Sequence, residues 1–111
     1  MTGSEYQKLA LRTARRDLDS TQLLLNGALG LAGESGEVAD DVKKHIFQQH
    51  WLDTGAIARE LGDVAWYLAL AAHAIGYDLD TIFQMNIDKL KARYPDGFDA
   101  ERSINRKEGD T

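Results

Sequence analysis

The sequence predicts an all-α fold, a four-helix bundle that associates through helix faces into an oligomer. Three observations carry this. Four segments repeat apolar residues at steps of three and four, the period of a helix with one buried face. Acidic, glycine or proline residues of the kind that start and stop helices bound these segments. The third segment is apolar on its far side as well, which calls for more cover than three other short helices provide. At 111 residues the chain suits a single domain, 1–111, with 1–20 as the first helix region and 96–111 as a C-terminal arm.

In the first segment, Ser4 and Gln7 have the spacing of a capping box. Tyr6, Leu9, Ala10, Thr13 and Ala14 continue a helical pattern to about Leu18, and Asp17-Leu18-Asp19-Ser20 reads as a break.

The second helix is expected from near Thr21 to about Gln49, with Leu24, Ala28, Leu31, Ser35, Val38, Val42 and Ile46 as its core stripe. At about 100° per residue, and with Leu31 as zero, Glu34 lies near −60°, Asp41 near −80° and Glu37 near −120°. These acids border the stripe rather than oppose it. Gly30, Gly33 and Gly36 interrupt the segment, and each glycine costs ~1 kcal/mol against alanine inside a helix. They mark either a close helix approach or a loop ahead of a helix that begins nearer Glu34.

The third helix is expected from about Ala56 to Ile75, capped by Asp53 or Thr54 and closed by Gly76. Its stripe is Ile57, Leu61, Val64, Leu68, Ala71 and Ile75. With Ile57 as zero, Glu60 falls about −60° away and Asp63 about −120°, the phase of the earlier pair. The far side carries Gly62, Ala65, Trp66, Ala69 and His73, read as an oligomer interface anchored by Trp66. Asp78 or Asp80 caps a fourth helix from Leu79 to about Tyr94, stopped by Pro95. Asn86 interrupts its apolar line of Leu79, Ile82, Phe83 and Leu90. A buried amide needs hydrogen-bond partners, so Asn86 either caps a neighbour or faces the acidic site. The polar arm after Pro95 is expected to run extended and leave the body after about Asn105.

Composition narrows the chemistry. There is no cysteine, so disulfides, zinc–thiolate sites and thiol catalysis are excluded, and a reducing cytoplasm fits. A net charge of −5 argues against a nucleic-acid partner held by phosphate contacts. The first five residues have neither a basic start nor an apolar run, so no leader is expected. The longest nearly unbroken apolar run, from Val64 to Ile75, is too short for a membrane span.

The organising feature is a repeated acidic signature, Glu34-Ser35-Gly36-Glu37 and Glu60-Leu61-Gly62-Asp63. A single acidic pair three residues apart usually marks a solvated helix face. Two pairs with the same glycine and the same phase against the core are a different matter. Packed face to face, four carboxylates repel unless a cation lies between them. Oxygen-only ligands suit Mg²⁺, with Mn²⁺ as the alternative, and Mg²⁺ shares its ligands with substrate phosphates. Lys43, Lys44 and Lys89 are candidate phosphate partners; Lys44 shares a helix side with Glu37 and Asp41. Taken alone, these lysines read as surface residues. None of His45, His50 and His73 forms a Glu-x-x-His pair, which weakens a di-iron carboxylate reading.

Glu34-x-x-Glu37, 22 residues and then Glu60-x-x-Asp63 resemble the metal signature of the MazG-like nucleoside triphosphate pyrophosphohydrolases. The stretches from Leu29 through Val42-Lys43-Lys44, Glu60–Leu68 and Asn86–Phe98 are similar to that family as well, so the likeness covers roughly residues 26–105. It implies an all-α pyrophosphatase fold and Mg²⁺-dependent cleavage of a (deoxy)nucleoside triphosphate to the monophosphate and pyrophosphate. It implies metal ligation by Glu34, Glu37, Glu60 and Asp63, and contacts to the nucleotide or its phosphates from Asn86 and Lys89, with Arg93 and Tyr94 matching too. It also implies a homodimer or homotetramer with the site near a subunit interface. It leaves the base open, and phosphoribosyl-ATP is a further substrate within the same chemistry. A non-catalytic helical module that binds metal or nucleotide is the competing reading.

Overall fold

The computed structural model describes residues 1–106, 109 and 110. Two long helices, α2 (Ser20–Gln48) and α3 (Thr54–Ala74), pack as an antiparallel hairpin. Each starts on an aspartate. The Asp19 carboxylate accepts from the Gln22 amide at 2.8 Å, and the Gln22 side chain accepts from the Asp19 amide at 3.0 Å, a reciprocal capping box. Asp53 accepts from the Ala56 amide at 3.0 Å. Gly76, with φ of 83°, takes the left-handed position after α3 that a side chain would strain.

Helix α1 (Gly3–Ala10) and α4 (Leu79–Arg93) close over the far end of this hairpin, and a short α5 (Ala100–Ile104) follows α4. Among the described residues no strand forms, so the all-α expectation holds, with five helices rather than four. Asp78 is the cap of α4, accepting from the Thr81 amide at 2.8 Å.

The first helix departs from expectation at both ends. Its cap is Thr2, whose hydroxyl accepts from the Glu5 amide at 3.0 Å, not Ser4. Gln7 turns inward instead. It is 5% exposed, donates to the carbonyls of Ala69 and Tyr77, and accepts from the Leu79 amide at 3.0 Å. The helix tightens into a 3₁₀ turn at Leu11–Thr13 and stops well before Leu18. The Thr13 hydroxyl donates to the Ala10 carbonyl at 2.8 Å, a local bond that competes with helix propagation.

The glycines resolve one open alternative: α2 is a single continuous helix. A Cβ on Gly27 would lie 2.9 Å from the Ala71 backbone, and one on Gly30 would strike the Tyr67 ring, so these two positions let α3 close in. Gly33 and Gly36 face open space. Because the hairpin closes on Gly27 and Gly30, its seam rotates away from the expected stripes. Leu24, Val42, Ile46, Leu61 and Ile75 are left exposed, while Glu34, Asp41 and Glu60 lie half-buried.

The buried core is small: Ala69, Leu70, Ala72 and Leu79, with Tyr6, Leu68 and Ile82 packed beside it. It joins α1, α3 and α4. The apolar back of α3 is therefore covered in part within the protomer: Ala69 is buried and Ala65 and Trp66 are half-buried, while Gly62 and His73 stay exposed. The Trp66 indole donates to the Ala10 carbonyl and the Thr13 hydroxyl, each at 3.0 Å. The Trp66 indole, expected to anchor an oligomer, is thus held by α1 and the turn after it within the protomer. The arm also differs from an extended tail: Ala100–Ile104 is helical and Asp110 returns to Arg93. The expected departure after Asn105 falls partly on 107, 108 and 111, which lie outside the described residues. No helix among the described residues is long and apolar enough to cross a membrane.

Candidate metal centre

Glu34 and Glu37 descend one side of α2 while Glu60 and Asp63 climb α3 to meet them. Gly30 against Tyr67 sets the register one turn above. Glu34 and Asp63 then line one open cavity of about 330 Å³ with Trp66 and Tyr67. The two rings meet edge to face, with centroids 5.1 Å apart, and form its apolar wall.

The charges act on one another. Burial raises the Glu34 carboxyl above its ordinary range, and Glu37 and Asp63 add to the shift. Glu60 is pushed up to about 7. Its hydrogen bond with Asp41 is the main cause, followed by burial and by the charges of Asp41, Glu37 and Glu34. All four signature acids thus belong to one electrostatic cluster, and Asp41 is a fifth member. Sequence placed Asp41 between Glu34 and Glu37 on the helix face; a carboxylate at that angle was the available signal for including it.

One oxygen of Glu34 and one of Glu60 are buried with no hydrogen-bond partner. Buried polar atoms are ordinarily satisfied, so two orphaned carboxylate oxygens in one acidic seam fit a cation ligand. Hard oxygen donors suit Mg²⁺ or Mn²⁺. Among the described residues, no three acids or histidines are drawn together on a single point. The donors are gathered but not closed around an ion.

The remaining site residues fall in two other places. Lys44 pairs with Asp40 at 2.8 Å, Lys43 shares that carboxylate at 3.1 Å, and Lys44 also lines a small cavity with Asp41 at the hairpin tip. Asn86 is exposed on α4. Lys89 and Arg93 line a cavity further along α4 that includes none of the four signature acids. Tyr94 packs on Phe98, with ring centroids 5.4 Å apart, and the Arg93 guanidinium lies 5.9 Å from the Tyr94 ring centre.

Residues 22–98, which contain both acidic signatures and the α4 motif, match the MazG nucleotide pyrophosphohydrolase domain. The chain belongs to the MazG family. It is also 38% identical over 81 residues to the Gene 37 protein of Mycobacterium phage L5, covering 69% of this chain and 71% of the relative. No solved structure matches. The half-buried acids of the α2–α3 seam lie within the matched residues.

Proposed function

We propose that this MazG-family chain is a Mg²⁺-dependent pyrophosphohydrolase that converts a (d)NTP to (d)NMP and pyrophosphate, clearing unwanted nucleotides in the cytoplasm. The carrying observation is the pair of orphaned buried oxygens on Glu34 and Glu60 inside a seam of five acids. Glu34, Glu37, Glu60 and Asp63 would hold the cation. When bound, it offsets phosphate charge and acidifies an attacking water.

The chain's own residues supply the rest. Trp66 is fixed by its two hydrogen bonds, and with Tyr67 it offers a rigid flat wall beside the acids for a nucleobase. Water attacks the α-phosphorus, the bond from that phosphorus to the bridging oxygen breaks, and pyrophosphate leaves. The proton passes to one of the four carboxylates. Asn86, Lys89, Arg93 and Tyr94 take the nucleotide or its phosphates, and Lys44 stands at the Asp41 end.

The protomer is built as part of a homodimer or homotetramer. Its radius of gyration is 17.0 Å, where a compact chain of about 100 residues has about 13 Å. On the side of α2 away from α3, Leu25, Leu29 and Phe47 are 58%, 65% and 78% exposed. Apolar rows of this kind mark association surfaces.

The test is incubation of the purified chain with each common NTP and dNTP plus Mg²⁺, assaying pyrophosphate against orthophosphate. Pyrophosphate that disappears in Glu34→Gln and Glu60→Gln, with circular dichroism unchanged, supports the reading. Orthophosphate from the wild type overturns it. Nucleotide recovered intact throughout points to phosphoribosyl-ATP or to the binding module.

A further inference from the structure

The cavity beside Glu34 and Asp63 has two aromatic walls, Trp66 and Tyr67, and each is held from behind. Tyr67 is seated on Gly30, where a Cβ would take the space of its ring. Trp66 is held by a different part of the chain. Its indole N–H donates to the Ala10 carbonyl and to the Thr13 hydroxyl, each at 3.0 Å. The Thr13 hydroxyl in turn donates to that same Ala10 carbonyl at 2.8 Å, so the three groups close into one network. Ala10 ends α1 and Thr13 ends the 3₁₀ turn after it, 56 and 53 residues from Trp66. Gln7 pins the same helix to α3 and to the start of α4. Burial first, and then the charge of Asp63, raise the Tyr6 phenol, so α1 also comes within range of the acidic seam. Tyr6, Ala10 and Thr13 all lie outside residues 22–98, the span that matches the MazG domain.

We propose that Thr13 is a positioning residue for substrate: with the Ala10 carbonyl it locks Trp66 as a stacking surface for the nucleobase. This rests on reading the cavity beside the acids as a nucleotide site. The indole N–H is the one polar handle of a tryptophan, and it only donates. With that handle spent on α1, Trp66 shows the cavity carbon alone. Recognition at this wall is therefore by stacking, which any planar base can do, rather than by hydrogen bonds to a base edge. An indole fixed in advance also loses less freedom when the base arrives, which favours binding. The segment ahead of residue 22 thus tunes the grip on the base through Trp66, without a group of its own on the substrate.

The experiment reads Trp66 by fluorescence. The chain has two tryptophans, and Trp51 is 91% exposed, so Trp51→Phe leaves Trp66 as the reporter. In that background the full chain is titrated with adenosine, cytidine and uridine, and with ribose as the control that lacks a base. These probes carry no phosphate, so binding is read without metal or turnover. Each nucleoside is expected to quench Trp66 saturably, and ribose is not. Thr13→Val keeps the shape of the side chain and removes its hydroxyl. It is expected to lower Trp66 anisotropy and to weaken nucleoside binding about tenfold, within the worth of one base–aromatic stack. Thr13→Ser keeps the hydroxyl and is expected to behave as the wild type does. Unchanged anisotropy and affinity in Thr13→Val, whatever its stability in urea, overturn the proposal. So does the absence of saturable quenching in the wild type, and so does equal quenching by ribose. The expected titrations from a chain that turns over no nucleotide would count against the hydrolase alone and support the stacking wall. Turnover by a chain whose Trp66 ignores every nucleoside would keep the hydrolase and overturn the wall.

Discussion

Asp41 hydrogen-bonds Glu60 across the α2–α3 seam, and this contact is the largest reason the Glu60 carboxyl titrates near 7. Two acids from different helices share a place where one negative charge is tolerated and two are not. The pair gives the centre a measurable property in the absence of metal.

Glu60 binds its proton more tightly folded than unfolded, its pKa rising from an ordinary 4.5 to about 7. Its contribution to stability is complete below about 4.5 and is lost as pH rises through about 7. In EDTA, the melting temperature of the wild type is expected to fall relative to Glu60→Gln over that window. Mg²⁺ is expected to reverse the trend, since a cation favours the charged forms. Asp41→Asn should move the Glu60 titration back towards 4.5, as read by carboxyl NMR. Parallel melting curves for wild type and Glu60→Gln across pH would sink the coupling.

Gln7 is the polar clasp of the core, joining α1 to the Ala69 and Tyr77 carbonyls and the Leu79 amide. Gln7→Leu keeps most of the volume but strands these backbone groups. Each orphaned buried group costs about 1–3 kcal/mol, so a loss of several kcal/mol is expected in urea unfolding. A loss below about 1 kcal/mol, the net worth of one ordinary hydrogen bond, would show that water replaces the clasp.

The helices and their caps were legible because they are local: Asp19, Asp53, Asp78 and Gly76 act within a few residues of their own position. The acidic centre was legible because Glu34-x-x-Glu37 and Glu60-x-x-Asp63 repeat one phase. What escaped depends on distant partners. Gln7 looked like a capping residue because the carbonyls it meets are 62 and 70 residues away. Trp66 looked like an oligomer anchor because nothing in its own helix announces that Ala10 and Thr13 cover it. The seam turned towards the acids because Gly27 and Gly30 admit α3, a packing fact invisible to a stripe of apolar residues. The return of Asp110 to Arg93 spans 17 residues and leaves no periodic trace.

Gly27 tests that packing directly. A Cβ there meets the Ala71 backbone at 2.9 Å, which cannot swing aside, whereas a Cβ on Gly30 meets the Tyr67 ring. Alanine brings ~1 kcal/mol of helix propensity, against about 1–3 kcal/mol for overpacking. Gly27→Ala is expected to destabilise the chain in urea, and to do so more than Gly30→Ala. Equal or greater stability for Gly27→Ala would mean that the hairpin is not held at this distance.

Assembly gives the last prediction, because two surfaces compete for the role. Trp66 is bound inside the protomer, so Trp66→Ala is expected to lower the melting temperature without changing the mass in sedimentation. Its half-buried indole and two hydrogen bonds suggest a loss of about 2–4 kcal/mol. Leu29 and Phe47 stand on one line of α2, five turns apart, 65% and 78% exposed. Lysine at Leu29 has little to disturb in the protomer but would bury a charge if a second chain covered this face. Wild type is expected to sediment at a multiple of 12.3 kDa, and Leu29→Lys to shift towards that single-chain mass with its circular dichroism retained. A 12.3 kDa wild type would remove the oligomer altogether. A Leu29→Lys variant that stays assembled while Trp66→Ala dissociates would return the interface to α3 and require α1 to leave it.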